Sequence, residues 1–282
     1  KNLGKMKIYK NDVLVLEIDK YGLLKKKQFF PLIGVYDVFS ALIASRYFEG
    51  VFVSGYSFSA SSYGLPDVGF VNWRDIVDIS NRIRNVLPET PMLVDIDDGF
   101  GDETVAVNTI KLLENNSCSA VMLEDQKRPR RCGHFDGKLI LPIDEYLVKL
   151  NAVLDIRTNI FVLARTDAPD PEEGIERAIA FSEAGADAVM VEAVNSLEYI
   201  QRLVDRVNCP VVVNQLHGGK SPDWSFQELT DAGVSIGIYS TPCLYAAQFG
   251  IESYLKDMLE SSGLPAKGTV NMEECNRVLL ES

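Results

Sequence analysis

The sequence predicts an α/β fold in which eight parallel strands close into a (β/α)8 barrel. Three observations lead to this prediction. The chain has 282 residues, 46% hydrophobic and 24% charged, a size that suits one barrel domain spanning residues 1–282. Short apolar runs recur along it, and helix-like segments separate most of them. A doubly wound open sheet has the same alternation, but no Gly-rich dinucleotide-binding turn follows the first run.

The eight apolar runs are continuous rather than alternating, as expected for parallel strands covered on both faces. The predicted strands are residues 29–37, 50–57, 91–97, 120–126, 160–168, 188–193, 209–216 and 234–240. Helices are predicted at residues 73–87, 103–115, 142–154, 172–184 and 196–206. After the eighth strand we expect a helical extension over residues 241–282, interrupted at LPAKGT (264–269).

Composition excludes several classes of function. With 28 basic and 40 acidic residues the net charge is −12, which disfavours nucleic acid and anionic membranes as partners. No run approaches the roughly 18 apolar residues of a membrane helix, and no signal peptide is recognisable, so we expect a cytoplasmic protein. Five widely spaced cysteines without a CxxC pair indicate reduced thiols rather than disulfides or a zinc ribbon.

Polar side chains concentrate where the predicted strands end, which is where barrel enzymes carry their chemistry. These residues are Tyr36, Asp37, Ser54, Tyr56, Asp95, Asp97, Asp98, Glu124, Asp125, Arg165, Asp167, Glu192, Asn214 and Ser240. Any one of them could instead be a turn former or a helix cap. Three neighbouring carboxylates are harder to explain in that way, because they repel one another unless a cation or a proton joins them.

Asp95, Asp97 and Glu124 therefore predict a cation site. The two aspartates are two residues apart, so a strand would direct both to the same side. Glu124 ends the next strand, and Asp67 lies in a loop, SSYGLPDVG, that could fold over them. An all-oxygen set without histidine suits Mg²⁺, with Mn²⁺ as a substitute, and argues against zinc.

A series of motifs carries a family resemblance: SGYSFSAS (54–61), GLPDVG (64–69), DIDDGFG (95–101), LEDQ (123–126), RRCGH (130–134), GK (137–138), ARTDA (164–168) and GADAVMVEA (185–193). In this order, from about residue 28 to residue 245, the sequence resembles the isocitrate lyase and phosphoenolpyruvate mutase superfamily. The resemblance implies a barrel whose last helix is exchanged between subunits, in homotetramers built as dimers of dimers. It also implies a small anionic carboxylate substrate bound through Mg²⁺.

The resemblance also implies roles for individual residues. Asp95 is implied to bind the metal directly, whereas Asp97, Asp67 and Glu124 are implied to hold it mostly through water. Substrate binding or catalysis is implied for Ser54, Gly55, Tyr56, Arg165, Glu192 and Asn214. The family's usual DADTG motif has Thr where this chain has Asp98, which would add a carboxylate near the metal.

The segment KRPRRCGHFDGK (127–138) gathers five basic residues in an acidic protein. The resemblance makes it a loop that closes over the substrate, with Cys132 as the acid/base and Gly133 and His134 beside it. Arg130, Arg131 and His134 are expected to favour the Cys132 thiolate. The alternative is a solvated basic loop with an inert thiol. The other four cysteines are expected to be structural, and His217 could line the pocket or be an ordinary loop histidine.

Three functions remain open from the sequence. The first is Mg²⁺-dependent cleavage of a carbon–carbon bond in a 2-oxo or 2-hydroxy di- or tricarboxylate, as in 2-methylisocitrate lyase, dimethylmalate lyase or oxaloacetate hydrolase. The GGKSP segment (218–222) and Ser240 resemble the oxaloacetate hydrolases. The second is a phosphonopyruvate hydrolase or phosphoenolpyruvate mutase, although the mutase carries an asparagine-bearing loop in place of Cys132. The third is a non-catalytic barrel.

Overall fold

In the computed structural model, which describes residues 29–280, eight parallel strands close into a barrel in the order of the sequence. The strands are β1 (Phe30–Val35), β2 (Gly50–Val53), β3 (Met92–Asp95), β4 (Ala120–Glu124), β5 (Phe161–Thr166), β6 (Ala188–Val191), β7 (Val211–Gln215) and β8 (Ile236–Tyr239). β8 pairs with β1, with Ile238 opposite Leu32. The predicted (β/α)8 barrel is confirmed, and the first 28 and last two residues of the predicted domain lie outside the described part.

Helices surround the barrel and connect its strands. They are α1 (Val38–Ala44), α2 (Gly55–Phe58) with a π-helical turn (Ser59–Tyr63), α3 (Trp73–Val86), α4 (Glu103–Asn115), α5 (Ile143–Ile156), α6 (Pro171–Glu183), α7 (Leu197–Arg206), α8 (Phe226–Asp231), α9 (Pro242–Glu260) and α10 (Met272–Leu280). The five helices predicted between strands correspond to α3 to α7. The unpredicted α1 and α8 have seven and six residues, too few for a 3.6-residue period to be distinctive.

Two apolar layers explain the continuous hydrophobicity of the strands. Side chains alternate between the two faces of each strand. In β3, for example, Leu93 belongs to the cluster inside the barrel, while Met92 and Val94 pack in the larger cluster beneath the helices. Because both faces are buried, no strand shows the alternating pattern of a sheet with one exposed face.

A glycine on β1 fixes the position of Ser240 at the mouth of the barrel. A Cβ atom at Gly34 would overlap the Ser240 carbonyl group, so only glycine permits this close approach of the two backbones. The Ser57 hydroxyl donates a hydrogen bond to the same carbonyl oxygen at 3.0 Å. The backbone of Ser240 is thus held between β1 and α2.

The C-terminal extension consists of α9 and α10, and no residue of either helix is buried. Large apolar side chains of α9 are exposed, among them Phe249 at 76% and Leu259 at 82%. An apolar cavity of about 420 Å³ lies between α1 and the start of α9 and is lined by Phe39, Ile43 and Tyr47. Within residues 29–280, no helix is long and apolar enough to span a membrane. We propose that a second copy of the chain covers this surface, as the predicted helix exchange requires.

We expect the double variant Phe249→Glu/Leu259→Glu to dissociate the assembly, because it places two charges in the proposed apolar interface. Light scattering after size exclusion should show a lower mass. Lys256→Glu is the matched control, since it changes the net charge by the same amount at an exposed position of α9. An unchanged mass for the double variant would argue against an interface on α9.

Candidate active site

Asp95 and Asp97 meet at the mouth of the barrel, but not for the predicted reason. Asp95 ends β3, whereas Asp97 lies beyond the strand in a left-handed conformation with a φ of 49°. The prediction that a strand directs both side chains to one side is therefore wrong. A tight turn brings them together: the Asp97 amide donates to Asp95 Oδ1 at 3.1 Å, and both carboxylates lie against Gly55.

Arg130 lies among these carboxylates. It belongs to residues 127–138, which we call the cysteine loop, and its side chain is 1% exposed. Its Nη1 pairs with Asp67 and lies 3.2 Å from Asp97 Oδ1, while its Nε donates to Glu124 Oε1 at 2.8 Å. A loop arginine therefore occupies the centre of the predicted cation site.

Burial dominates the protonation of this cluster. It raises the pKa of Asp95 and that of Asp97, and it raises the pKa of Glu124 to about 8, although Arg130 opposes all three shifts. The guanidinium group does not fully replace the hydration that these carboxylates lose. A further cation would stabilise their ionised forms.

The residues at this end of the barrel fit Mg²⁺. Glu124 Oε2 is buried and has no hydrogen-bond partner. A side chain at position 55 would lie 3.2 Å from Asp95 Oδ2, so Gly55 leaves that oxygen accessible. In the described part of the chain, no three acidic, histidine or cysteine side chains form a complete metal-binding set on their own. Mg²⁺ does not require one, because it binds through one or two carboxylates and retains several waters.

Cys132 belongs to the cysteine loop and is itself buried, with 7% of the residue exposed. Its amide donates to the Asp67 carbonyl oxygen at 2.9 Å, and its own carbonyl accepts from the Phe135 amide at 2.8 Å. Burial, and then the charge of Asp67, raise the pKa of the thiol to about 12. The prediction of a favoured thiolate is wrong here, because Arg130 faces the carboxylates and Arg131 is exposed. Burial thus favours the protonated form of the Cys132 thiol, which can donate a proton.

Gly133 allows the cysteine loop to lie directly on the site. A Cβ atom there would overlap the Arg165 guanidinium group and the Glu192 side chain. Arg165 forms a bidentate pair with Asp167 at 2.8 and 3.0 Å, and it lies 3.3 Å from Glu124 Oε2 and 3.4 Å from Glu192 Oε2. Its orientation is thus fixed by several carboxylates.

Glu192 and His134 lie side by side in the site. Burial would raise the pKa of Glu192, but Arg165 and His134 outweigh it and hold that pKa below its usual range. His134 Nδ1 accepts a hydrogen bond from the Lys220 amide at 2.9 Å, so neutral His134 carries its proton on Nε2. That Nε2 lies 3.1 Å from Glu192 Oε1, but it is buried without a properly oriented hydrogen bond.

A short hydrogen-bonded chain extends from Glu192 to β8. Asn214 Nδ2 lies within 3.3 Å of both Glu192 oxygens, and the Ser240 hydroxyl donates to Asn214 Oδ1 at 2.6 Å. Ser54 caps α2, accepting from the Ser57 amide. Tyr56 lies beside it, and burial together with Tyr245 raises its pKa to about 12.

One cavity joins most of the predicted residues. The polar side chains and glycine that line it are Ser54, Tyr56, Asp67, Asp95, Cys132, Gly133, His134, Arg165, Glu192, Asn214 and Ser240. Gly55, Asp97 and Glu124 do not line it and lie behind this wall. Only about 30 Å³ of space remains under the closed loop. The arrangement therefore suits a compact, anionic ligand between a buried thiol and an arginine.

Other strand-end residues have structural roles. Asp37 caps α1 by accepting from the Ser40 amide at 2.6 Å. Asp125 accepts from Thr166, from the Asp167 amide and from Arg177, which ties β4 to β5 and α6.

Two residues left open by the sequence lie outside the cavity. The His217 side chain is 82% exposed and pairs with Asp223 at 2.6 Å, which favours the ordinary loop histidine. The Asp98 side chain binds Arg128 of the cysteine loop, so the expectation that it adds a carboxylate beside the metal is wrong. Among the remaining cysteines, Cys118 is buried, and its desolvation raises the pKa of its thiol to about 12, as expected for a structural residue.

Sequence reasoning missed three basic residues that hold the cysteine loop. Arg128 pairs with Asp98, Lys138 donates to Asp167 at 2.8 Å, and Lys220 pairs with Asp136 at 2.6 Å. The five basic residues of the loop were the available signal. One small anionic ligand could not contact all five, which indicates that some of them bind protein carboxylates.

Comparison with known proteins agrees with this geometry. The family model described as phosphoenolpyruvate phosphomutase matches residues 21–259. The chain is 31% identical to the 2-methylisocitrate lyase of Aeropyrum pernix over 242 residues, 84% of this chain and 78% of that protein. It is 33% identical to the 2,3-dimethylmalate lyase of Eubacterium barkeri over 231 residues, 80% of each chain.

A similar solved structure is that of oxaloacetate acetylhydrolase in complex with the inhibitor 3,3-difluorooxalacetate. Its TM-score is 0.87 at 28% identity, with 92% of each chain covered. The matching family model, the relatives with more than 30% identity and the shared barrel fold all agree. The chain belongs to the isocitrate lyase/phosphoenolpyruvate mutase superfamily and is an enzyme of that superfamily.

Proposed function

We propose that the protein cleaves a carbon–carbon bond in a small 2-oxo or 2-hydroxy dicarboxylate, with Mg²⁺ as cofactor and Cys132 as the proton donor. The observation that carries the proposal is that the buried Cys132 thiol shares one closed cavity with Asp95, Arg165 and Glu192. An acid, a cation-binding carboxylate and an anion-binding arginine are the groups that such a cleavage needs.

Oxaloacetate is the substrate that we favour. Ser240 and Asn214 present a hydroxyl and an amide that could hold the two hydroxyl groups of hydrated oxaloacetate. A structure of oxaloacetate acetylhydrolase with the product oxalate resembles this chain, with a TM-score of 0.84 at 27% identity. 2-Methylisocitrate and 2,3-dimethylmalate are the alternatives, by analogy with the relatives.

The proposed mechanism assigns a task to each wall of the cavity. Asp95 would hold Mg²⁺ directly, with Asp97, Asp67 and Glu124 behind it. When bound, the metal supplies a Lewis acid for the substrate α-oxygen and carboxylate. Arg165 pairs with substrate carboxylate, and its existing ion pairs keep it in place. Glu192 is ionised because Arg165 and His134 lower its pKa, so it can accept a hydrogen bond from a substrate hydroxyl.

Cys132 completes the reaction. As one hydroxyl proton of hydrated oxaloacetate passes to a base, for which the Glu192 carboxylate is the candidate, a carbon–oxygen double bond forms and the carbon–carbon bond breaks. Oxalate remains, and the bonding electrons pass to the acetate fragment as an enolate. The Cys132 thiol gives its proton to that carbon, and the closed loop excludes water that would compete. In a lyase reaction the same proton would go to a succinate-like enolate.

The substrate can be identified with a panel of acids. We expect turnover of oxaloacetate to oxalate and acetate when the enzyme is incubated with Mg²⁺ and oxaloacetate, 2-methylisocitrate, 2,3-dimethylmalate, isocitrate or phosphonopyruvate. Proton and phosphorus NMR distinguish the products. Release of phosphate from phosphonopyruvate, without turnover of any other acid, would support the carbon–phosphorus alternative instead.

We expect Asp95→Asn to lower kcat by more than about a hundredfold, since residues that merely support metal ligands already cost about 10–100-fold. EDTA should inhibit the parent enzyme. Electron paramagnetic resonance of Mn²⁺ should show weaker binding to the variant, which separates metal binding from activity. Asp205→Asn, at an exposed position of α7, is the matched control. Full activity of Asp95→Asn in chelator would contradict the metal mechanism.

We expect Cys132→Ser to lower kcat by roughly 10²–10⁴-fold, the usual contribution of a positioned acid or base. KM should change little, because substrate binding depends on Arg165, the metal and the residues around Ser54. Steady-state kinetics on the best acid of the panel measure both constants. Cys243→Ser, a half-buried cysteine outside the cavity, is the control. A kcat near that of the parent would remove Cys132 from the mechanism.

A further inference from the structure

Arg128 and Asp98 form a bidentate ion pair at the base of the cysteine loop. Arg128 Nε donates to Asp98 Oδ2 at 2.9 Å, and Arg128 Nη2 donates to Asp98 Oδ1 at 2.7 Å. Two parallel charged hydrogen bonds fix the direction of a guanidinium group as well as its position. The pair therefore connects the loop that carries Cys132 to the turn that follows β3.

Asp98 is held in place independently of the loop. The buried Lys149 ammonium donates to the Asp98 and Gly101 carbonyl oxygens, each at 2.7 Å. The Phe100 amide donates to Asp98 Oδ1 at 3.2 Å. The Asp98 side chain is 4% exposed, whereas that of Arg128 is 38% exposed. The acceptor is thus preorganised on a rigid turn, and closing the pair requires ordering only the arginine.

The pair differs from the contact made by Arg130, two residues along the loop. Arg130 binds Asp67, Asp97 and Glu124, which are the carboxylates proposed to surround the metal. A bound cation would compete with Arg130 for their charge. Asp98 instead directs its carboxylate to Arg128 and makes no contact with Arg130, so this ion pair is separate from the one that a cation would disturb.

Further hydrogen bonds restrain the loop on both sides of Cys132. Gln126 accepts from the Arg131 amide at 3.0 Å and donates to the Arg131 carbonyl oxygen at 2.8 Å. At the far end of the loop, Lys138 donates to Asp167. Between these anchors only a few residues separate Arg128 from the thiol. A loop restrained at both ends has few ways to move Cys132 out of the cavity.

We propose that Asp98 and Arg128 are positioning residues that hold the cysteine loop in its closed position and so keep Cys132 aligned over the cavity. The proposal rests on the proposed role of Cys132. The test of the proposal does not depend on that role, because the accessibility of the thiol can be measured without any substrate.

The test is the rate at which iodoacetamide alkylates Cys132 in the full chain, followed by mass spectrometry of its peptide, with and without Mg²⁺. We expect Asp98→Asn and Arg128→Gln each to raise this rate about 5–20-fold. A charged hydrogen bond at a partly exposed site shifts the equilibrium between the closed and the open loop by about this factor. The double variant should match either single variant, because both remove one interaction. Arg82→Gln, which breaks an exposed pair with Asp78 on α3, should leave the rate unchanged.

Cys118 serves as an internal reference, since it is buried in the core and becomes reactive only when the barrel opens. Alkylation of Cys118 that rises in parallel with Cys132 would mean global destabilisation and would overturn the proposal. A Cys132 rate within twofold of the parent in either folded variant would overturn it as well. If Asp98→Asn does not fold, Arg128→Gln tests the same contact from its half-exposed side. Failure of the substrate panel would leave these rates unaffected, so the two proposals can fail separately.

Discussion

The burial of several carboxylates around two arginines is the constraint on which the rest of the site depends. Arg130 and Arg165 are almost fully buried and between them contact Asp67, Asp97, Glu124, Asp167 and Glu192. Separating such ions from water costs free energy that their mutual attraction recovers only with good geometry. Removing either arginine would leave uncompensated buried charge, so these residues hold the barrel mouth together as well as preparing it for an anion.

The same constraint explains why an acidic protein concentrates basic residues in one loop. The surfaces that meet the cysteine loop are acidic: Asp98 faces Arg128, and Asp167 faces Lys138. Arg130 in turn faces Asp67, Asp97 and Glu124. Closure therefore brings opposite charges together rather than exposing a basic patch. Because Gly133 lacks a side chain, the loop reaches the floor of the cavity and leaves little free volume. Loop, metal site and substrate site thus share one charge balance.

Much of this was predictable from the sequence, and the failures have physical causes. The strands follow from the hydrophobic runs, and α3 to α7 from the helix-like segments between them. The strand ends indicated Asp95, Glu124, Arg165 and Glu192 as candidate site residues, whereas the role of Cys132 was implied by the family resemblance. Periodicity could not show that β3 ends at Asp95, because the left-handed turn at Asp97 is a local backbone event. Nor could it show which acid each loop arginine would bind. Asp98 and Arg128 are 30 residues apart, and only the folded barrel brings them together.

The error about Cys132 is the most informative for mechanism. A cysteine among arginines was expected to be a thiolate, but burial decides its protonation because the guanidinium groups are already neutralised by carboxylates. The same desolvation that raises the pKa of Glu124 raises that of the thiol. Burial favours the protonated thiol, whose proton passes more readily to a strongly basic centre than to water. In the proposed reaction that centre is the enolate carbon formed by bond cleavage, so burial of the thiol would favour proton transfer to the carbanion.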